Sequence, residues 1–115
     1  MSHVSGNEPS EIARLVERAK AGDAEAVGEL FSRHRDRLRR MVEMRLDHRL
    51  QARVDPSDII QEAYADVVAR LDEYLAVPKL PVFLWLRLVV GERLMKVHRH
   101  HLGTQMRDVR RQRPC

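Results

Sequence analysis

The spacing of apolar residues along the chain predicts four helices and no strand of convincing length. The first helix is short, starts after a Ser10 N-cap and stops at Gly22. The second is expected to be long, over residues 24–49, with Asp23 as its N-cap. Its apolar stripe has a gap near His34, and its other faces carry mainly arginines. We interpret these arginines as a solvated face with intrahelical ion pairs, and a secondary nucleic-acid contact is the alternative.

The segment DPSDIIQEAYADVVARLDEY, residues 55–74, predicts the third helix and has the clearest pattern in the chain. Asp55 suits the N-cap, and Pro56 suits the first helical position. The apolar residues that follow predict the buried side of this helix. They are Ile59, Ile60, Ala63, Tyr64, Val67, Val68 and Leu71.

The opposite side of the third helix combines polar residues with alanines. The polar residues are Asp58, Gln61 and Glu62, and the alanines are Ala65 and Ala69. A face that meets only solvent more often carries long charged side chains, whereas alanines let another helix approach closely. We therefore favour a protein-docking face that offers acceptors and one amide donor to a basic partner. The alternative is that alanine is present only as a good helix former.

The fourth helix is predicted to begin near Pro81, to reach at least His100 and to stop at Gly103. Its buried row is expected to contain Phe83, Leu86, Val89, Val90, Leu94 and Val97. The residues after Gly103 either extend as a short basic helix or stay mobile. The pattern as a whole predicts an all-α fold, a small bundle of about four helices.

Composition fits this fold and narrows the function. The chain has 115 residues, enough for one small domain, and its single cysteine, Cys115, cannot form an internal disulfide. The N-terminus has no signal-like apolar segment, and no apolar stretch could span a bilayer, so we expect a cytoplasmic protein without a membrane partner.

No cofactor or metal is expected, because His98, His100 and His101 lack further ligands at suitable spacing. Neither a phosphate-binding loop nor an activated nucleophile is present, which argues against an enzyme.

Positive charge is concentrated near the C-terminal end. The formal net charge is +4, and residues 96–113 hold six Lys or Arg against one acid, Asp108. Such a block suits a polyanion, most plausibly nucleic acid. A solvated, frayed tail explains the charge alone equally well.

The third helix resembles the second conserved region of bacterial RNA polymerase sigma factors. That region carries an Asp-aliphatic-aliphatic-Gln-Glu run and ends in an acidic-aromatic step, matched here by residues 58–62 and 72–74. The resemblance implies that this helix docks on the clamp coiled coil of the largest subunit of the polymerase core. It implies a polymerase contact through Asp58, Gln61 and Glu62, with room for the partner at Ala65.

The segment FLWLRLVVGERLMKVHRHHLG, residues 83–103, resembles the helix with which sigma factors melt promoters and read the minus-ten element. Phe83, Trp85, Leu86 and Arg99 match its pattern. Flanking segments are similar to the extracytoplasmic-function (ECF) group. The resemblance implies contacts to promoter DNA, chiefly the non-template single strand. The implied DNA-binding residues are Arg87, Glu92, Arg93, Lys96, Arg99, His100, Arg107, Arg110 and Arg111.

The sequence favours particular roles for some of these residues. The best candidates for phosphate contacts share one helix face: Arg93, Lys96, Arg99 and His100. Glu92 stands where many family members have Asn, and a carboxylate there either weakens DNA binding or accepts a hydrogen bond from cytosine. We expect Trp85 to be a core residue. Base capture would then fall to the loop over residues 74–80, which includes an exposed Lys79.

We expect residues 1–9 to be disordered, residues 10–102 to form the sigma region 2 domain and residues 103–115 to be a basic linker. We expect this chain to lack the second promoter-binding domain of ECF sigma factors, and we favour a fragment cut in the linker over a natural single-domain protein. The resemblance leaves room for an anti-sigma factor as a further partner. Two alternative functions are a helical module that binds double-stranded DNA and one that binds only a regulatory protein.

Overall fold

The computed structural model describes residues 9–112, with side chains described for residues 10–103. This range forms four α-helices, one short 3₁₀ helix and no strand. In chain order these are α1 (Pro9–Lys20), α2 (Ala24–Arg45), the 3₁₀ helix (His48–Leu50), α3 (Pro56–Ala76) and α4 (Val82–Gln112). The predicted all-α bundle of four helices is confirmed.

The central helix of the bundle is α2, which packs against α1, α3 and α4, while α3 also packs against α4. The main core lies between α2, α3 and α4, and a smaller one lies between α1 and α2. Burial of each large aliphatic side chain contributes about 1.5–3 kcal/mol. The largest fully buried side chains are Leu38, Val42, Leu50, Ile59, Ile60, Val67, Leu86, Val89 and Val90. This arrangement leaves one long side of α3 and one of α4 facing outwards.

The turn between α1 and α2 is fixed by its sequence, as predicted. Gly22 has φ +94°, a left-handed conformation that residues with a Cβ rarely adopt. The Asp23 carboxylate accepts hydrogen bonds from the Glu25 backbone N–H at 3.0 Å and from the Arg18 guanidinium at 2.8 and 2.9 Å. The predicted Ser10 N-cap is wrong, because α1 already begins at Pro9, whose fixed φ suits the first helical position.

The predicted extent of the second helix is also wrong, since α2 ends at Arg45. Leu46 is extended, with ψ 126°, and the Asp47 carboxylate then caps the 3₁₀ helix by accepting from the Arg49 N–H at 2.9 Å. Leu46 and Leu50 are both buried and four residues apart, which imitates helical spacing across this turn.

The fourth helix continues beyond its predicted stop. Gly103 lies inside α4, and a Cβ placed there would meet nothing within 4 Å. Glycine lowers helix stability by about 1 kcal/mol relative to alanine but does not end a helix unless the chain turns. Of the two alternatives for the segment after Gly103, the helical one is therefore confirmed up to Gln112. The predicted disorder concerns residues 1–8, which lie outside the described residues, and Pro9, which is helical.

The apparent gap in the apolar stripe of α2 is a buried histidine. His34 is 3% exposed, and its Nδ1 lies 2.8 Å from the Leu30 carbonyl oxygen. Its ring stacks on Phe83 at 5.3 Å, and the Arg37 guanidinium covers Phe83 at 3.9 Å from the ring centroid. Burial lowers the pKa of His34, and the charges of Arg37 and Arg33 add to this effect. The start of α4 is thereby held against α2.

Candidate functional site

The exposed side of α3 is set by how the helix begins. The Asp55 carboxylate accepts a hydrogen bond from the Ser57 N–H at 2.9 Å, and Pro56 occupies the first turn, as the sequence predicts. With this start, Ile59, Ile60, Ala63 and Val67 turn into the core. The structure brings the predicted docking residues together on the opposite, exposed side: Asp58, Gln61, Glu62, Ala65 and Ala69.

This exposed side, hereafter the α3 face, carries polar side chains that are open to solvent. Within the described part of the chain, the side chains of Asp58, Gln61 and Glu62 make no hydrogen bond or ion pair. Val68 also belongs to the face, since it is 51% exposed, and its predicted place in the buried stripe is wrong. Val68 lies about 100° around the helix from the buried Val67, so its side chain turns out of the core.

A groove of about 370 Å³ continues the α3 face onto α2. Its α3 wall includes Gln61 and Ala65, and its α2 wall includes Gly28, Ser32 and Arg35. Sequence reasoning missed the contribution of α2 to this surface. The signal was present, because residues 28, 32 and 35 follow the helical intervals of four and three.

The inner edges of α3 and α4 are joined by two ion pairs. The Arg93 guanidinium donates two hydrogen bonds to the Asp66 carboxylate, at 2.7 and 2.8 Å, with both side chains about three-quarters buried. These hydrogen bonds lower the pKa of Asp66 and raise that of Arg93. Arg70 donates to Glu92 at 2.6 Å in a more exposed pair. We call these two pairs the α3–α4 clasp.

The clasp divides the predicted DNA-binding residues. Glu92 and Arg93 form ion pairs with residues of α3. In contrast, Arg87, Lys96 and Arg99 are exposed and form no ion pair in the described range. His100 is exposed beside His101, with their rings edge to face at 5.2 Å. The remaining predicted residues lie in α4 beyond the side chains that the structure describes: Arg107, Arg110 and Arg111.

The two large aromatic residues near the α3–α4 connection are structural. Trp85 is 7% exposed and stacks on Tyr74 with 4.4 Å between ring centroids, which confirms the prediction that Trp85 is a core residue. Tyr74 lies within α3 and is also buried, and its hydroxyl donates to the Leu80 carbonyl oxygen. The predicted base-capture loop therefore begins only after Ala76, and Tyr74 is not part of it. Lys79 is exposed, as predicted.

The described residues contain neither a metal-binding cluster nor a membrane-spanning helix. Among the described residues, no three His, Cys, Asp or Glu side chains are grouped so that they could hold a metal ion. None of the described helices combines the length and apolar character needed to cross a bilayer.

The geometry thus defines a class of protein: a small helical bundle that exposes alanines and polar groups on one helix and basic residues along another. The family model described as "ECF sigma factor" matches residues 9–77, which contain α1, α2 and α3. The chain therefore belongs to the ECF sigma factor family, and the resemblance drawn from the third helix is confirmed. No curated protein and no solved structure matches the chain.

This family consists of non-enzymatic transcription initiation factors, which act with RNA polymerase on promoter DNA. The matched residues end before α4, so the DNA-binding roles expected of residues 87–111 rest on the resemblance alone.

Proposed function

We propose that this chain is the region 2 domain of an ECF sigma factor, which binds the clamp coiled coil of RNA polymerase through the α3 face. The observation that carries the proposal is the combination on that face of small residues with polar side chains that make no hydrogen bond or ion pair within the described residues. Ala65 and Ala69 permit a close helix approach, while Asp58, Gln61 and Glu62 retain their hydrogen-bonding capacity for the partner.

The groove beside the α3 face adds to this surface. A helix lying along α3 would also meet Arg35 and Ser32 of α2, so acidic and basic groups would both be presented to it. A coiled coil that exposes charged residues of both signs is complementary to such a surface, and complementarity of this kind favours correct orientation.

We further propose that α4 contacts the promoter as the strands of the minus-ten element separate. Arg87, Lys96 and Arg99 supply exposed cations for phosphates, which provide affinity without reading sequence. Glu92 is held by Arg70, and release of this exposed pair would be needed before Glu92 could meet a base. DNA binding by the chain alone is expected to be weak and strongly dependent on salt.

The experiment is calorimetric titration of the chain with the isolated clamp coiled coil. Glu62→Lys and Gln61→Ala should each reduce binding, with the charge reversal losing at least tenfold because it places a cation where a basic partner group is expected. Glu17→Lys, on the exposed surface of α1, is the matched control and should bind like the unmodified chain. Circular dichroism checks that all variants fold. Absence of binding by the unmodified chain, or equal loss in the Glu17 control, would reject the proposed polymerase contact.

A further inference from the structure

Two adjoining grooves run between the C-terminal half of α2 and the outward side of α4. One has a volume of about 450 Å³ and the other about 550 Å³. Arg45 and Arg87 line both of them, so the two form one continuous surface, which we call the α2–α4 groove. Because α2, α3 and α4 each pack against the other two, the outward side of α3 points away from this groove. One molecule can therefore use the groove and the α3 face at the same time.

The first part of the α2–α4 groove is strongly basic. Four arginines and no acidic residue line it: Arg37, Arg40, Arg45 and Arg87. Arg37 lies over the Phe83 ring, at 3.9 Å from its centroid. The other three, which we call the groove arginines, are exposed and form no ion pair within the described residues.

Other arginines of α2 are neutralised along the helix. Arg33 pairs with Glu29 at 2.7 Å, and Arg39 pairs with Glu43 at 3.2 Å. For these two arginines, the predicted intrahelical pairs are confirmed. The groove arginines lack such a neighbour, so their charge is open to an anionic group from outside the molecule.

The second part of the groove is apolar and exposed. Leu84, Leu88 and Met95 are 43%, 46% and 53% exposed, and Gly91 completes a row at helical intervals along α4. A Cβ placed at Gly91 would meet nothing within 4 Å, so the middle of this aliphatic row is open. Glu92 is the acidic residue that lines this part, and it is engaged in the clasp. Contiguous apolar residues exposed on a soluble protein commonly mark a binding surface.

The α3 face has the opposite charge in a similar arrangement. It begins with the carboxylates of Asp58 and Glu62 and continues with three short apolar side chains, which are Ala65, Val68 and Ala69. Val68 is 51% exposed, and small neighbours allow another helix to approach it closely. The α3 face and the aliphatic row each extend over about 17 Å of helix, at 1.5 Å per residue. The two surfaces therefore match in charge, apolar character and length.

We propose that the α2–α4 groove binds the α3 face of a second copy of this chain. Asp58 and Glu62 of one copy lie on the groove arginines of the other, and Val68 lies on the aliphatic row. Complementary charge identifies the occupant and fixes its direction along the groove. The formal net charge of +4 opposes association of two copies. At 0.1 M ionic strength, however, charges more than about 10 Å apart are largely screened, so the local pairs dominate.

The proposed contact joins two unlike surfaces. Each bound pair leaves one groove and one α3 face unoccupied, so further copies can add, and the assembly grows as a chain or closes into a ring. Every α3 face within the assembly is covered. The consequence for regulation rests on the proposed function: self-association would hide the polymerase-binding face, and the clamp coiled coil would have to compete for it.

The test is sedimentation velocity of the chain from micromolar to near-millimolar concentration, at low and at high salt. At low salt, the unmodified chain should sediment faster as its concentration rises and should pass beyond the dimer, whereas high salt should return it to monomer. The α3-face variant Glu62→Lys and the groove variant Arg40→Gln/Arg45→Gln should each weaken self-association at least tenfold. Two controls change exposed charges elsewhere and should associate like the unmodified chain: Glu17→Lys, and Arg14→Gln/Arg53→Gln. Circular dichroism checks that every variant folds.

An equimolar mixture of the two interface variants gives the sharpest result. The Glu62→Lys chain keeps an intact groove, and the groove variant keeps an intact α3 face. The mixture should therefore form a 1:1 dimer, although neither variant associates alone. This dimer should not grow further, because the two remaining surfaces no longer attract each other. A symmetric contact between two α3 faces would instead leave the groove variant fully associated.

A further variant tests the apolar part of the contact. Leu88→Gln should weaken self-association several-fold and keep the salt dependence of the unmodified chain, because it removes no charge. Leu88 is half exposed, so the substitution is compatible with folding. Unchanged association of this variant would show that the aliphatic row is not covered by a second copy.

The inference fails if the unmodified chain remains monomeric at low salt, or if the mixture of the two variants forms no dimer. In either case the groove belongs to a different anionic ligand. Calorimetry with the clamp coiled coil, run on the groove variant, separates this failure from that of the proposed function. Because its α3 face is intact, the groove variant should bind the coiled coil whether or not the chain self-associates.

Discussion

The exposed faces of α3 and α4 differ in how much of their charge the protein uses internally. On the α3 face, the side chains of Asp58, Gln61 and Glu62 make no hydrogen bond or ion pair within the described residues. On α4, two of the predicted DNA-binding residues, Glu92 and Arg93, are tied to α3 in the clasp. Charge on a helix surface is therefore not by itself a sign of a binding residue, because some charged side chains hold the helices against each other.

The junction between the two helices carries the largest expected effect. Trp85→Ala removes the stack with Tyr74 at the point where α4 begins, and loss of a buried Trp costs about 3–5 kcal/mol. Urea denaturation followed by circular dichroism should show this loss of unfolding free energy. A variant that keeps near-normal stability and loses only DNA affinity would make Trp85 a base-binding residue and contradict the structural role given to it here.

The Arg93–Asp66 pair of the clasp carries the next largest expected effect on stability. Arg93→Gln should lower the free energy of unfolding by about 1–2 kcal/mol, since Asp66 loses two charged hydrogen bonds in a partly buried site. Lys96→Gln, at an exposed position of the same helix, should change stability by less than about 0.5 kcal/mol. Salt titration of DNA binding should show the reverse order, with the slope reduced in the Lys96 variant only. A reduced slope in the Arg93 variant would return Arg93 to the set of phosphate contacts.

Lowering the pH should weaken the contacts of α4 with α2 and its contacts with α3 in different pH ranges. The pKa of His34 is lowered by burial, so below about pH 6.5 the unfolded chain binds a proton that the folded chain resists, and stability falls as the pH decreases. This loss is at most about 1.4 kcal/mol per pH unit. His34→Gln should flatten the decrease between pH 7.5 and 5.5 when urea denaturation is followed by circular dichroism at each pH. An equal decrease in both proteins would show that the buried His34 is not its origin.

The α3 side responds only at lower pH. Hydrogen bonds from Arg93 lower the pKa of Asp66, so the stability that this carboxylate contributes is complete above the ordinary Asp pKa of 3.8. It is lost as the pH falls below that value towards the folded-state pKa. In Asp66→Asn, the part of the acid destabilisation that occurs below about pH 4 should be smaller. An equal decrease in both proteins would show that the clasp does not depend on the ionised carboxylate.

The smallest effect is expected for the outer pair of the clasp. Arg70 and Glu92 are 38% and 49% exposed, and surface pairs of this kind contribute about 0.2–1 kcal/mol. A double-mutant cycle with Arg70→Ala and Glu92→Ala should give a coupling energy in that range, and the coupling should decrease at high salt. A coupling above about 2 kcal/mol would mean that Glu92 is fixed too firmly to meet DNA.

Sequence periodicity was sufficient for the elements whose buried side follows one regular stripe. The N-caps Asp23 and Asp55 and the exposed α3 face were predictable because each depends on neighbours within one helix. The end of α2 was not, since Leu46 and Leu50 keep helical spacing although the chain turns between them.

Contacts between residues that are far apart in the sequence could not be predicted either. Arg93 pairs with a residue 27 positions away, and no spacing rule connects the two. Arg40 and Arg45 form no ion pair within the described residues, whereas Arg33 and Arg39 are paired, and this distinction likewise requires knowledge of which acids lie within reach. Sequence could predict that α2 is arginine-rich, but only the folded arrangement separates the arginines that stabilise the helix from those open to a ligand.

The most direct test of the account is an NMR titration of the ¹⁵N-labelled chain with the clamp coiled coil, followed by a single-stranded oligonucleotide. The coiled coil is expected to shift amide signals over residues 58–69 and near Arg35. The oligonucleotide is expected to shift signals along residues 87–99. Coiled-coil shifts centred on α4, or none on the α3 face, would contradict the assignment of that face to the polymerase.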